Sequence, residues 1–542
     1  MATPGQQTPP LPELVFAQAS PRSVGGTSLF ETARTIDHAS VEAFMSEAAM
    51  VTAAASRLRG AGFQVLDVTP TTINIAGAPS LYEEYFSTRL VAEERAVLKP
   101  QDREDTATFV ECPDTDLPGL IPAGRSPAAE VLEGVAIEEP RYPFASPLPP
   151  KADYWHLQVP GDVSAGTNAE RAHRMRVTGA GVKVVMVDSG WYRHPYFTSR
   201  GYRSAPVVLG PATSNPNDDE IGHGTGESAN LFAVAPDIDF TMVKINFVNS
   251  IGAFNTAVQL RPHIISCSWG SDVPHPPLSA ANNALAAAVA TAVLNGIVVV
   301  FSAGNGQCGF PGQHPDVISA GGVMMEPDAA LHASDYTSGF ASRVYPGRNV
   351  PDVSGLVGMQ PRAAYIMLPL QPGDAIDRDL GNGQSHPKGD ETPPDDGWAA
   401  FSGTSAAAPQ VAGACALLKQ VAPRLSPAKV KDVLTRTARD VTTGTNHPRF
   451  GTPAAPGYDL ATGHGLVDAH RAVLAATLLG RREGGQLSSR PETSVPAQRV
   501  SAEAAGRAPA SRVTGAGVPA VQVEDASALA GYMTEQDVDG GS

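Results

Sequence analysis

Apolar positions along the chain follow two distinct patterns. From Ser40 to Gly60, Val41, Phe44, Met45, Ala48, Ala49, Ala53 and Leu58 recur at helical spacing, with Ser40 placed to cap the run. Phe63–Val68 and Thr72–Ala76 alternate like paired strands around a turn at Thr69-Pro70. Ser80–Phe86 predicts a short helix carrying Tyr82, Tyr85 and Phe86, and Ala107–Glu111 a strand that closes a small sheet. Farther on the pattern changes. Val184–Val187 and Ile297–Phe301 are continuously apolar, which predicts buried strands rather than half-exposed ones. At Phe401–Pro409 a turn gives way to an apolar, small-residue helix.

Composition bounds the picture. A chain of 542 residues implies more than one domain, and 42% hydrophobic with 17% charged residues is ordinary for a globular enzyme. A formal charge of −16 with no basic run excludes nucleic acid as a partner. No run of 18 apolar residues is present, so no membrane partner is expected. The N-terminus has neither a basic region nor an apolar core of signal-peptide length, which makes the expected location cytoplasmic, with export by another route left open. The four cysteines, Cys112, Cys267, Cys308 and Cys415, lack metal-ligand spacing, and Cys267 and Cys415 suit buried free thiols.

The expected division is a flexible N-terminus (1–30), an α+β unit (31–138), a proline-rich linker (139–153), an α/β domain (154–479) and a disordered tail (480–542). Within the tail, RVTGAGV at 512–518 repeats 176–182, a coincidence of low-complexity sequence, and 521–542 carries acids but no base.

The candidate chemistry lies where the buried strands end. Val184–Val187 delivers Asp188, followed by Ser189-Gly190. Ile221-Gly222-His223-Gly224-Thr225-Gly226 sets a histidine between glycines ahead of a helical run. Val298–Phe301 runs into Ser302-Ala303-Gly304-Asn305, and Ser405 stands at the start of the 401–409 helix among residues too small to block approach. A hydroxyl there sits in a field that favours developing negative charge. Taken singly, Asp188 reads as a strand-end cap, His223 as a turn histidine and Ser405 as an N-cap. As an ordered set they read as catalytic.

These motifs together resemble those of the subtilisin-like serine proteases, whose Asp, His, Ser order they share. Pro262–Gly270 is similar to the family's groove-lining strand, Ala235–Ile245 to the strand after the histidine helix, and Ala461–Ala469 to the closing segment, so the likeness runs from about Tyr154 to about Leu479. The resemblance implies a three-layer α/β domain with a mostly parallel central sheet. It also implies endopeptidase hydrolysis of a polypeptide substrate through an acyl-enzyme, with no cofactor required. Ser405 would be the nucleophile, His223 the base, Asp188 its orienting partner and Asn305 an oxyanion donor. Ser268, Trp269, Gly270, Ala303 and Gly304 would bind substrate.

The preceding segment looks like the small α+β, ferredoxin-like propeptides of this superfamily, which would make the N-terminal domain an intramolecular inhibitor and the chain a zymogen. Ser80–Arg89 resembles the corresponding stretch of sedolisin propeptides. Three alternatives stay open: an independent binding domain at the N-terminus, a catalytically silent scaffold, and a sedolisin-related acid peptidase using Glu and Asp in place of His. The intact His-Gly-Thr motif argues against the last. Processing is expected between Arg141 and Tyr154, where prolines hinder cleavage.

Three features depart from the family pattern. The run after His223 is short, which argues against the family's calcium loop at that place, and Glu227 stands at a position usually apolar. An insert at Asp374–Trp398 holds seven acidic residues against Arg378 and Lys388. It reads as a solvated acidic loop; alternatively Asp374, Asp377 and Asp379 offer an oxygen-rich set for Ca²⁺. Gly306–Pro311 is abbreviated, and no carboxylate is evident at the base of the adjoining pocket, so an apolar preference is expected.

Overall fold

The computed structural model describes residues 9–30, 36–99, 103–143, 156–359, 365–381, 390 and 392–487. Most of the proline-rich linker, with the expected processing segment beyond Pro143, lies outside the described residues, as do 488–542 with their RVTGAGV repeat and acidic end.

The N-terminal domain is built from β1 (Val15–Pro21), α1 (Ala48–Ala61), β2 (Gln64–Val68), β3 (Ile73–Gly77), α2 (Pro79–Phe86), β4 (Val91–Lys99), β5 (Arg103–Glu111), β6 (Leu120–Pro122), β7 (Leu132–Ile137) and β8 (Tyr142–Pro143). Its sheet runs β2-β3-β1-β7-β6, antiparallel throughout. With α1 and α2 between the strands, this is the ferredoxin-like order plus one edge strand.

Three expectations need correction here. Residues 15–21 are not a flexible terminus: β1 is the middle strand, and Val15, Ala17 and Ala19 are buried against α1 and α2 while Gln18 and Ser20 are buried on the other face. A strand enclosed on both faces has no alternation to read. Ala107–Glu111 does not close the sheet; it is half of a separate hairpin, β4–β5, and β7 closes instead. The helix expected from Ser40 breaks at Met45–Glu47, because Ser46 is tied to the sheet through Pro70 O and Pro21 O.

The second domain contains β9 (His156–Gln158), α3 (Gly161–Gly166), α4 (Ala169–Arg174), β10 (Lys183–Asp188), α5 (Pro195–Ser199), β11 (Val208–Leu209), α6 (His223–Val234), β12 (Asp239–Lys244), α7 (Ser250–Gln259), β13 (Ile264–Cys267), β14 (Trp269–Asp272), α8 (Ala280–Leu294) and β15 (Val298–Ser302). It continues through β16 (Gly309–Phe310), β17 (Ile318–Met325), β18 (Leu331–Ala333), β19 (Phe340–Ala341), β20 (Asn349–Val350), β21 (Val353–Leu356), β22 (Tyr365–Pro369), α9 (Ala375–Gly381), β23 (Trp398–Phe401), α10 (Thr404–Val421), α11 (Pro427–Thr437) and α12 (Ala469–Leu487). The last helix passes Leu479, the expected domain end, and the helical face of Ala469, Ala472, Val473 and Ala476 packs into the core.

The main sheet runs β11-β12-β10-β13-β15-β17-β18, with β21 also on β17. All pairs but β17–β18 are parallel. Successive side chains of β10 face opposite layers: Val184 and Met186 join the core under α6 and α10, Val185 and Val187 the core under α7 and α8. β13 and β15 divide in the same way. Burial on both faces explains the unbroken apolar runs. Among the described residues, no helix is long and apolar enough to cross a membrane.

The N-terminal sheet lies against α7 and α8. Asn74 and Asn249 exchange side-chain hydrogen bonds across that boundary at 2.8 and 3.2 Å, and Gln259 Nε2 donates to Asp67 at 2.6 Å. From there the chain crosses to the second domain's surface. β8 pairs antiparallel with β14, Tyr142 opposite Gly270 and Pro143 opposite Trp269, and completes the three-stranded sheet β16-β14-β8.

The acidic insert is a solvated loop only in part: Asp395 and Asp396 are exposed, but its other described acids are not. Asp374, Asp377, Asp379 and Asp390 are buried, and α9 is joined to the loop before His223 by Ala375 N–H to Glu220 O and Ile376 N–H to Ile221 O, at 3.1 and 3.2 Å. Asp374 accepts the backbone N–H groups of Asp377 and Gln371, and Asp377 those of Gly373 and Gly397. These carboxylates thus cap turns. Among the described residues no group of three or more His, Cys, Asp and Glu is arranged to hold a metal ion.

Candidate active site

Parallel register brings the candidate residues to one edge. Val187 pairs with Cys267 and Cys267 with Phe301, so Asp188, Ser268 and Ser302 leave the carboxyl ends of β10, β13 and β15 side by side. In parallel α/β sheets this edge is where ligands bind.

Asp188 is fully buried, and its Oδ1 lies 2.7 Å from His223 Nδ1 while accepting the Ser189 N–H at 2.8 Å. His223 opens α6. The preceding residue, Gly222, has φ 92°, and a Cβ there would fall on the Asp374 carboxylate, so only glycine allows this entry to the helix. Burial disfavours the imidazolium, yet the Asp188 carboxylate, helped by Glu227 and Asp219, outweighs it and pushes the His223 pKa up. With Nδ1 facing Asp188, Nε2 is the proton-accepting position, and it has no hydrogen-bond partner among the described residues.

Ser405 lies in the first turn of α10, with its Oγ 3.2 Å from Ser268 O; Ser268 Oγ in turn donates to Ser405 O at 2.9 Å. Asn305 is oriented through its oxygen. Oδ1 accepts the N–H and the hydroxyl of Thr404 at 3.0 and 3.1 Å, which fixes the amide with its NH₂ group, the donor, turned away from Thr404.

The expected substrate-binding residues divide in their roles. Ser268, Trp269 and Gly270 offer backbone; the Trp269 indole turns into the core, where Nε1 donates to Val187 O at 2.8 Å. Ala303 packs with Phe340 and Val350 beside Cys308 and Phe450, and Gly304 N–H donates to Thr404 Oγ1 at 3.1 Å. Asp272, nearby, is paired with Arg449 at 3.0 Å. The four cysteines form no disulfide; burial and then Asp188 push Cys267 well up, burial pushes Cys415 up to about 12, and burial and Asp272 push Cys308 up to about 11.

Two residues that motif reasoning does not assign stand next to the site. Asp219 accepts Ser189 Oγ, Gly222 N–H, Thr225 N–H and Thr225 Oγ1 between 2.6 and 3.0 Å, and so shapes the loop that presents His223. An acid four residues before the histidine is the available signal. Glu227, one turn beyond His223, is wholly buried; burial pushes its pKa up to about 8, with Asp188 adding to the rise and His223 opposing it.

A model of the subtilase family matches residues 179–455. Subtilisin Savinase of Lederbergia lenta is 28% identical over 300 residues, 52% of this chain and 91% of its own length. An alkaline protease of Alkalihalobacillus alcalophilus is also 28% identical over 300 residues, and there the chain spans only 64% of the relative's length. Among solved structures, fervidolysin from Fervidobacterium pennivorans, described as a keratinolytic enzyme related to subtilisin, is similar with a TM-score of 0.52 over 85% of this chain and 61% of that one. Identity there is 14%, so that likeness speaks for the fold alone.

Proposed function

The chain belongs to the subtilase family, and on that premise we propose that it is a serine endopeptidase, made as a zymogen that its own N-terminal domain inhibits. The observation that carries the proteolytic reading is the buried Asp188–His223 contact of 2.7 Å at the sheet edge that also holds Ser405 and Asn305. In this reading Ser405 Oγ attacks the scissile carbonyl, and its proton passes to His223 Nε2. The carbonyl oxygen becomes an oxyanion facing the Asn305 amide and the N–H of Ser405 at the start of α10. Asp188 keeps the imidazole in the tautomer that can accept. His223 later returns the proton to the leaving amine. The imidazole against Asp188 favours neutral or alkaline working over the acid chemistry of a sedolisin.

The inhibitory reading rests on β8. Tyr142–Pro143 lies antiparallel on Trp269–Gly270, the backbone to which a substrate's non-primed residues would add as a strand. The bond presented to Ser405 would then follow Pro143, inside the expected 141–154 segment. The apolar surroundings of Ala303, and the pairing of Asp272 with Arg449, favour an apolar residue before the scissile bond.

Intact masses of wild type and Ser405→Ala, taken after incubation at neutral pH, test both readings. Wild type is expected to lose an N-terminal fragment and Ser405→Ala to stay whole, and a fluorophosphonate is expected to label only wild type. A wild type still unlabelled once the N-terminal domain has been removed would instead mark a silent scaffold.

A further inference from the structure

Glu227 is a carboxyl in the core, and among the described residues no Lys or Arg forms an ion pair with it. Its Oε2 accepts Asn230 Nδ2 at 2.9 Å, and Oε1 has no partner among the described residues. Burying such a group is costly, and stability alone favours an apolar side chain there.

Its surroundings tie it to both catalytic helices. Asn230 Oδ1 accepts Gln410 Nε2 at 3.1 Å. Gln410 lies on α10, on the second turn beyond Ser405, and is itself fixed to β21 by Leu356 N–H and Leu356 O at 2.7 and 2.8 Å. A hydrogen-bonded chain therefore joins the helix that begins with His223 to the helix that begins beside Ser405. Among the described residues, the charged groups acting on Glu227 are His223 on its own helix and Asp188 at the end of β10; α10 turns the neutral Gln410 toward the network. The coupling with His223 is mutual. A proton on the imidazole favours the carboxylate, and the carboxylate favours the proton on the imidazole.

We propose that Glu227 is a positioning residue that acts through His223: its carboxyl, held by Asn230, which Gln410 anchors in turn, supports the imidazolium formed when His223 takes the Ser405 proton. The proposal rests on the protease reading above. In that step the Ser405 Oγ–H bond breaks and Oγ bonds the carbonyl carbon. The proton goes to Nε2, and the carbonyl π pair moves to oxygen, so that positive charge arises one helical turn from Glu227.

Glu227→Gln keeps the shape and an acceptor for Asn230 but removes the ionisable group; Glu227→Asp keeps the charge on a shorter arm. Two measurements read the effect. One is the titration of His223 followed by imidazole ¹⁵N NMR in full-length Ser405→Ala. The other is kcat/KM of the processed enzyme against pH with a chromogenic peptide. In Glu227→Gln the His223 midpoint and the acidic limb are both expected to move to lower pH by about half a unit or more, with kcat falling and KM held. Glu227→Asp is expected to lie between that variant and wild type. An unmoved His223 midpoint in both variants would overturn the proposal and leave Glu227 as packing. Because that titration needs no turnover, the Glu227–His223 coupling is read separately: absence of fluorophosphonate labelling with a shifted His223 midpoint would sink the protease reading, and an unmoved midpoint with labelling intact would sink the role of Glu227 alone.

Discussion

Asn305 has one way to face. With Oδ1 held by the Thr404 N–H and hydroxyl, the amide cannot flip without breaking two hydrogen bonds, so its NH₂ is preorganised rather than recruited. Losing one oxyanion donor of this kind costs ~10²–10³ in kcat. Asn305→Ala is therefore expected to lose that much turnover with KM little changed in steady-state kinetics. A loss under tenfold would assign the oxyanion to other donors. At this scale the site is largely legible in the sequence, because Asp188, His223, Asn305 and Ser405 each need one side-chain chemistry between residues small enough to pack at a strand end. Asp219 is legible only as an acid four residues before His223; the four hydrogen bonds that give it its role are made by folding. Nor does the sequence disclose that the Trp269 side chain serves the core while only its backbone faces β8.

At the scale of elements, the parallel strands announce themselves by unbroken apolar runs. β1 does not, because seven residues that include Gln18 and Ser20 read as surface until the second domain covers them. The acidic insert misleads for a related reason: its carboxylates are paid for by backbone N–H groups that sequence does not display. Asp352 shows how such a carboxylate stabilises. It binds Arg348 through both oxygens, accepts the Ser319 N–H, and contacts Lys431 of α11 at 2.9 Å. Burial opposes its charge, but Arg348 and then Lys431 outweigh burial and hold its pKa down at about 2. Burial pushes Lys431 itself down to about 8 despite Asp352, so the two-pronged Arg348 contact carries the effect. A depressed carboxylate contributes stability that is complete above its ordinary value of ~3.9 and is lost as pH falls through about 2. Asp352→Asn, in a Ser405→Ala background to prevent autolysis, is expected to be less stable at pH 7 by about 2 kcal/mol or more. Its melting temperature should fall less steeply than the parent's between pH 4 and pH 2, and parallel curves would refute the assignment.

Across the whole molecule, the joint between the two domains carries its own titration. Glu138, just past β7, faces the start of α7 and bonds Gln18 and the Ile251 N–H. Burial pushes its pKa up to about 7, against the opposing pull of Arg141 and these hydrogen bonds. A raised acid favours the docked state most below its ordinary value, and that advantage is lost as pH rises from ~4.3 to about 7. Part of the side chain stays open to solvent, so the effect belongs near ~1 kcal/mol. Glu138→Gln, again with Ser405→Ala, is expected to raise the melting temperature at pH 8 and leave it nearly unchanged at pH 4. An equal rise at both would point to packing.

β8 is part of one continuous chain, joined backward to the N-terminal sheet and forward through residues 144–155 to β9. While that chain is whole, the strand meets β14 at an effective concentration on the order of millimolar, whatever the amount of protein in solution. A single cut between Pro143 and His156 would change no contact along β8 but would turn its hold on β14 into a two-body equilibrium. From then on, dilution would empty the groove and crowding of molecules would refill it, so the number of copies present would govern how many are open.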